Sequence, residues 1–198
     1  MKDYIRNNIQ ESVDAKIRLL QDEKLCSLIE NVCGLCIEAY RKGNKILVCG
    51  NGGSASDAQH MTGELVGRYK IERAGIPAIS LNANTAVMTA LGNDYDYDSI
   101  FSKQVKALGA AGDVLFVIST SGNSMNTVLA AKQAKAQKIT TVALTGEGGG
   151  KLKEICDYTI NVPSANTPRI QEMHILVIHT ICGIIEKELK ELGFFEEN

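Results

Sequence analysis

From Lys45 onward the chain alternates strand, loop and helix. That order predicts an α/β fold: a three-layer, doubly wound, five-stranded parallel sheet preceded by N-terminal helices. Two observations carry the prediction. The strand candidates are short, continuous and rich in β-branched residues, as in strands buried on both faces. Apolar residues at helical spacing separate them, and the glycine- and serine-rich loops fall directly after strands.

Residues 1–43 read as two helices. Ile5, Ile9, Val13, Ile17 and Leu20 form one stripe; Leu25, Leu28, Ile29, Val32, Leu35, Cys36, Ala39 and Tyr40 form the next, closed by Lys42-Gly43-Asn44. The first helix precedes any sheet and has little of its own chain to pack on, so it is expected to lie across a neighbouring subunit, with packing on its own domain as the alternative. The first strand is Ile46-Leu47-Val48-Cys49, followed by the loop Gly50-Asn51-Gly52-Gly53-Ser54 and a helix over 55–68. The second strand spans 77–81, with helical stretches around 84–92 and 97–108. The third is Asp113-Val114-Leu115-Phe116-Val117-Ile118, and its loop Ser119-Thr120-Ser121-Gly122-Asn123-Ser124 opens a helix. A fourth strand covers 139–144, ending in Thr145-Gly146-Glu147-Gly148-Gly149-Gly150. A fifth covers 158–162, and a long closing helix runs from Arg169 to about Leu192.

The 198 residues suffice for one domain with a substantial core, so residues 1–198 are expected to form a single unit. A net charge of −2 gives no basic surface for nucleic acid or an anionic membrane. The N-terminus has no apolar signal segment and no apolar run approaches spanning length, so a cytoplasmic protein is expected. Six cysteines lie mostly within apolar patterns, as reduced buried thiols do. Cys33-Gly34-Leu35-Cys36 has redox spacing but lies inside a helical stripe, and no second such pair completes a zinc site; packing is the reading.

The loop 119–124 offers four hydroxyls, a glycine and an amide at a helix N-terminus, where free N–H groups and the dipole favour an anion. It reads as a phosphate cradle, with a serine-rich helix-capping turn as the alternative. Without a lysine or nucleoside-triphosphate loop spacing, it does not suit a nucleotide with its metal. Gly50-Asn51-Gly52-Gly53-Ser54-Ala55 matches a dinucleotide fingerprint, but the second strand ends Leu81-Asn82-Ala83-Asn84 with no carboxylate for a ribose. No nucleotide cofactor is expected. The same glycines admit a smaller polar ligand, with Asn51 and Ser54 to bond its hydroxyls. Asp94, Asp96 and Asp98 alternate as in a calcium loop, but Ser99 and Val105 stand where glycine and glutamate are needed. His60 and Glu64 share a helix face. Gln171 and His179 point roughly 80° apart and lie about 12 Å apart along their helix, so both could face one cavity while one ion would stretch them.

Gly50-Asn51-Gly52-Gly53-Ser54, Gln59-His60, Glu64, Gly67-Arg68-Tyr69, Gly92-Asn93-Asp94, the 119–124 loop, Leu144-Thr145-Gly146 and Arg169-Ile170-Gln171-Glu172-Met173-His174 with His179 together resemble the sugar isomerase (SIS) domain family, and within it the phosphoheptose isomerases, nearly end to end. The resemblance implies the SIS fold, a homotetramer with sites at subunit interfaces, and conversion of D-sedoheptulose 7-phosphate to D-glycero-D-manno-heptose 7-phosphate. That step opens nucleotide-heptose synthesis for bacterial surface polysaccharide. It implies that Ser119, Thr120, Ser121 and Ser124 hold the phosphate and that Asn51, Gly52, Gly53, Asn93, Asp94 and Gln171 line the sugar. It also implies that His60, Glu64, Gln171 and His179 bind zinc, one ion per subunit. Ketose–aldose exchange moves one proton between adjacent carbons through an enediol, so it needs a base serving both carbons and a partner for the two oxygens. Glu64 is assigned as base and His179 as acid, with metal polarisation of the carbonyl an open alternative for His179. His174 is left to packing or support, and Asp94 to a possible part in ring opening. The rival is a non-catalytic SIS scaffold that senses sugar phosphates or binds a replication initiator. The presence of Glu64 and His179 argues for the enzyme.

Overall fold

The structure, a computed structural model, describes residues 1–195. Two helices come first, α1 (Lys2–Gln21) and α2 (Glu23–Arg41), with Asp22 between them accepting a hydrogen bond from the Leu25 N–H. Then follow β1 (Ile46–Gly50), α3 (Gly53–Val66), β2 (Ala78–Ser80), α4 (Thr85–Asp94), a short 3-10 turn (Tyr97–Ser99), α5 (Ile100–Leu108), β3 (Val114–Ile118) and α6 (Met125–Ala136). The chain closes with β4 (Thr140–Thr145), the one-turn α7 (Leu152–Ile155), β5 (Tyr158–Asn161) and α8 (Thr167–Glu191). All five strands are parallel in the order β2-β1-β3-β4-β5. The expected sheet is therefore present, with small differences at its edges. β2 is reduced to three residues at an edge, and α7, too short to show a period, is additional.

Because side chains alternate along a strand, β1, β3 and β4 each feed two cores. Ile46, Val48, Phe116, Ile118, Val142 and Leu144 face α2, α3 and α8; Leu47, Cys49, Leu115, Val117 and Ala143 face α5, α6 and α7. These are the three layers. Asp113 is not the first residue of β3. Buried below the sheet, its carboxylate accepts from the N–H groups of Lys45 (3.0 Å) and Ala110 (2.8 Å) and from Lys45 Nζ (2.6 Å). Cys33 and Cys36 lie in the α2 core, as expected for packing. Burial pushes the Cys33 thiol up to about 11, and the Cys36 thiol well above its ordinary value. All six cysteines are free thiols. No helix among the described residues is long and apolar enough to cross a membrane.

α1 buries only Ala15. Its apolar stripe, Ile5, Ile9, Val13, Ile17 and Leu20, remains exposed, although Arg169 of α8 donates to the Asn8 carbonyl (2.8 Å) and Ser12 to Glu172 (2.6 Å).

Candidate active site

In this strand order the chain reverses direction across the sheet between β1 and β3, where loops diverge and leave a crevice at the strand carboxyl ends. The glycine-rich loop leaves β1 there and the serine-rich loop leaves β3, level with each other because Gly50 pairs with Ile118.

Ser119 is buried, with its Oγ 3.2 Å from Ser124 Oγ; Thr120 and Ser124 are half-buried and Ser121 is exposed. Ser124 is the N-cap of α6, yet its hydroxyl makes no capping bond. Among the described residues the N–H groups of Ser124, Met125 and Asn126 have no intramolecular acceptor, which leaves a row of donors at the positive end of α6. The loop is strapped to the one after β4. Gly146 N donates to the Thr120 carbonyl (3.0 Å), Leu152 N to that of Gly122 (3.0 Å), and Lys151 N to Asn123 Oδ1 (3.1 Å). Gly122 has φ +66°, and a side chain there would strike the Gly149 carbonyl; the turn requires glycine.

Across the crevice, Asn51 and Asn126 exchange two amide hydrogen bonds (2.8 and 2.9 Å), which tie the glycine loop to the first turn of α6. The Tyr97 hydroxyl reaches Asn51 Oδ1 at 3.1 Å. Asn82, standing where a dinucleotide site needs an acid, instead brackets Gly50, accepting from its N–H (3.2 Å) and donating to its carbonyl (2.8 Å). Gly52 is the N-cap of α3 and Ser54 is buried under the loop. The Gln171 amide occupies the space that a Gly53 side chain would need. Asn93 and Asp94 end α4 on the surface, joined by a 3.0 Å hydrogen bond.

Gln171 touches the head of α3 and His179 touches its middle, so α8 and α3 run side by side in the same direction. His60 Nε2 lies 2.9 Å from Glu64 Oε1 and 3.2 Å from His179 Nε2; His179 Nε2 lies 3.9 Å from the same carboxylate oxygen. His60, Glu64 and His179 form the group that could hold a metal ion. Two ligands on one tetrahedral zinc stand about 3.3 Å apart, and the three separations bracket that value. Gln171, packed on Gly53 at the other end of this seam, makes no such contact. The Tyr69 ring stacks on His179 at 5.7 Å. Tyr69 is held in turn by Glu186, which accepts from the N–H groups of Tyr69 (2.9 Å), Lys70 (2.8 Å) and Ile71 (3.3 Å) and from Arg73 Nε (2.9 Å). Burial opposes ionisation of Glu186, but these donors outweigh it and hold its carboxyl below the usual range. Asp57, one turn before His60, buries an unpartnered Oδ2. Burial pushes its carboxyl up to about 6, opposed by the nearby His60. His174 is fully buried against the end of β4 with both ring nitrogens unpartnered, and burial lowers it to about 4.

Asn126, Tyr97, Arg73 and Glu186 were not legible as site residues. Their partners lie 46 to 117 residues away in sequence.

Comparison with known proteins places the chain in a family. The family model of the SIS domain matches residues 10–146. Phosphoheptose isomerase of Aneurinibacillus thermoaerophilus is 50% identical over 189 residues, covering 96% of each chain. The structure of phosphoheptose isomerase from Neisseria gonorrhoeae superposes with a TM-score of 0.89 at 42% identity, covering 94% of this chain and 98% of that one. The Francisella tularensis phosphoheptose isomerase gives 0.90 at 39% identity, covering 93% and 97%. The chain belongs to the SIS domain family and, within it, to the phosphoheptose isomerases.

Proposed function

We propose that this chain converts D-sedoheptulose 7-phosphate to D-glycero-D-manno-heptose 7-phosphate, the entry to nucleotide-heptose synthesis. The observation that carries the reading is the Glu64 carboxylate, 2.9 Å from His60 and 3.9 Å from His179, on the helix that opens from the glycine loop. Ser119, Thr120, Ser121 and Ser124, with the free N–H groups of α6, hold the phosphate. The glycine loop, with Asn51, Gly52, Gly53, Ser54, Asn93, Asp94 and Gln171, takes the sugar chain. Glu64 removes a proton from C1 of the ketose and returns it to C2. His179 gives a proton to O2 and takes one from O1, so the enediol forms and collapses without net gain or loss of protons.

His60, Glu64 and His179 would hold zinc, with Gln171 joining only by leaving Gly53. When bound, zinc supplies Lewis-acid polarisation of the substrate carbonyl in place of the proton transfers by His179, whose ring nitrogen it would occupy. The exposed stripe of α1 supports assembly through that helix, and a homotetramer is the form we propose. Free thiols throughout support a cytoplasmic location.

The test is turnover of sedoheptulose 7-phosphate followed by NMR of C1 and C2, with the metal content of the purified protein measured alongside. Glu64→Gln should lower kcat by roughly 10²–10⁴-fold, the usual worth of a positioned proton-transfer group. Wild-type turnover in that variant would refute the assignment.

A further inference from the structure

We propose that Tyr97, with Asn51, forms a hydroxyl-recognition subsite for the substrate chain, the Tyr97 oxygen accepting a hydrogen bond from a sugar hydroxyl. The inference rests on the sugar-phosphate reading above and adds a residue to it.

It follows from donor and acceptor polarity. The backbone N–H of Thr127 can only donate, and it lies 2.9 Å from Asn126 Oδ1, which fixes the orientation of the Asn126 amide. Asn126 Nδ2 therefore donates to Asn51 Oδ1 (2.9 Å), and Asn51 Nδ2 donates back to Asn126 Oδ1 (2.8 Å). The Tyr97 hydroxyl, 3.1 Å from the same Asn51 Oδ1, is left one role: it must donate. Its only proton is thereby spent inside the protein, and its oxygen offers lone pairs alone. Asn51 Oδ1 has both acceptor positions filled, while Asn51 Nδ2 keeps one N–H in reserve. An acceptor and a donor stand together on the glycine loop. A sugar hydroxyl, which both donates and accepts, matches such a pair, whereas an anion would find only the donor attractive.

Hydrophobic burial does not hold Tyr97 there, since the residue is 60% exposed. The backbone holds it. Asp96 accepts from the Ser99 N–H at 2.6 Å to form the 3-10 turn, and Ile100 and Phe101 directly after it are fully buried. The ring thus projects from a fixed turn toward the loop, with its oxygen in place before substrate arrives.

Tyr97→Phe removes only the oxygen, at an exposed position whose loss leaves the fold intact. For this variant we expect KM for sedoheptulose 7-phosphate to rise 5- to 20-fold with kcat within threefold. Calorimetric affinity for the sugar should fall in parallel, and competitive inhibition by inorganic phosphate should be unchanged because the cradle is untouched. A KM and a calorimetric affinity within twofold of wild type would overturn the subsite. So would an equal weakening of phosphate inhibition, which would mean that Tyr97 acts through Asn126 on the cradle. Absence of turnover in the wild-type protein would instead refute the isomerase reading, and the calorimetric comparison would still decide the subsite.

Discussion

Glu186 and Arg73 form a buried ion pair behind the turn that carries Tyr69 against His179, with side chains 3% and 1% exposed. Glu186→Gln keeps the shape of the side chain but turns an NH₂ group toward donors. About half of the four hydrogen bonds to the carboxylate are lost, and Arg73 is left as a buried charge without its counter-ion. Two bonds to a charged group at about 1.5–3 kcal/mol each give about 3–6 kcal/mol. The cost of breaking a buried pair by removing one partner is about 3–5 kcal/mol, in agreement. With a urea dependence near 2 kcal/mol per molar, the unfolding midpoint at pH 7 should fall by roughly 1.5–2.5 M. Because the Glu186 carboxyl is depressed in the folded protein, its stabilisation is complete above the unfolded value of about 4.3 and is lost as pH falls through the folded value. The gap between wild type and variant should therefore narrow below about pH 4. A midpoint shift under 0.5 M, roughly 1 kcal/mol, or a gap that widens on acidification, would refute this account.

His174 titrates in the other window. Its folded value is near 4 against 6.5 unfolded, so between these the unfolded chain binds a proton that the native chain refuses, and stability falls as pH falls. From pH 7 to 4.5 this amounts to about 2–3 kcal/mol; urea midpoints of His174→Leu should lack that part of the acid loss, and a matching loss in the variant would count against it. On α1, Ile9→Glu with Val13→Glu should leave the circular dichroism of the chain intact, because both side chains are exposed in it. If α1 is the assembly surface, sedimentation should then report a smaller particle, each apolar side chain being worth about 1.5–3 kcal/mol when buried; an unchanged mass would refute it.

The sheet was readable because a strand buried on both faces writes itself as an unbroken apolar run, as 46–49 and 114–118 do. The hydroxyl-rich loop that opens α6 was readable because its side chains lie close together in sequence. α7 was not, since four residues carry no period. The support behind the site was hidden for a different reason. Glu186 reads locally as one more charge on an amphipathic helix, and only the packing of α8 on the turn after α3 shows that it collects three backbone N–H groups. Asn51 was read as a sugar contact, but most of its amide is spent on Asn126 and Tyr97, a partnership that no local spacing encodes.

α3 carries the glycine turn at its head and the His60–Glu64 pair in its body, with no break between them. The seven steps from Gly53 to His60 are thus a ruler about 10.5 Å long, graduated in increments of 1.5 Å and 100°. One residue added or removed within it would swing both side chains a quarter turn or more from His179. The stretch from Gly67 to Pro77, which contains no helix or strand, is fixed by individual contacts instead: Tyr69 to Arg73 bond Glu186, and buried Ile76 donates its N–H to the Leu65 carbonyl (2.9 Å). Length variation among functional relatives should therefore be absent between Gly53 and Glu64, a pattern set by helix geometry before any chemistry is selected.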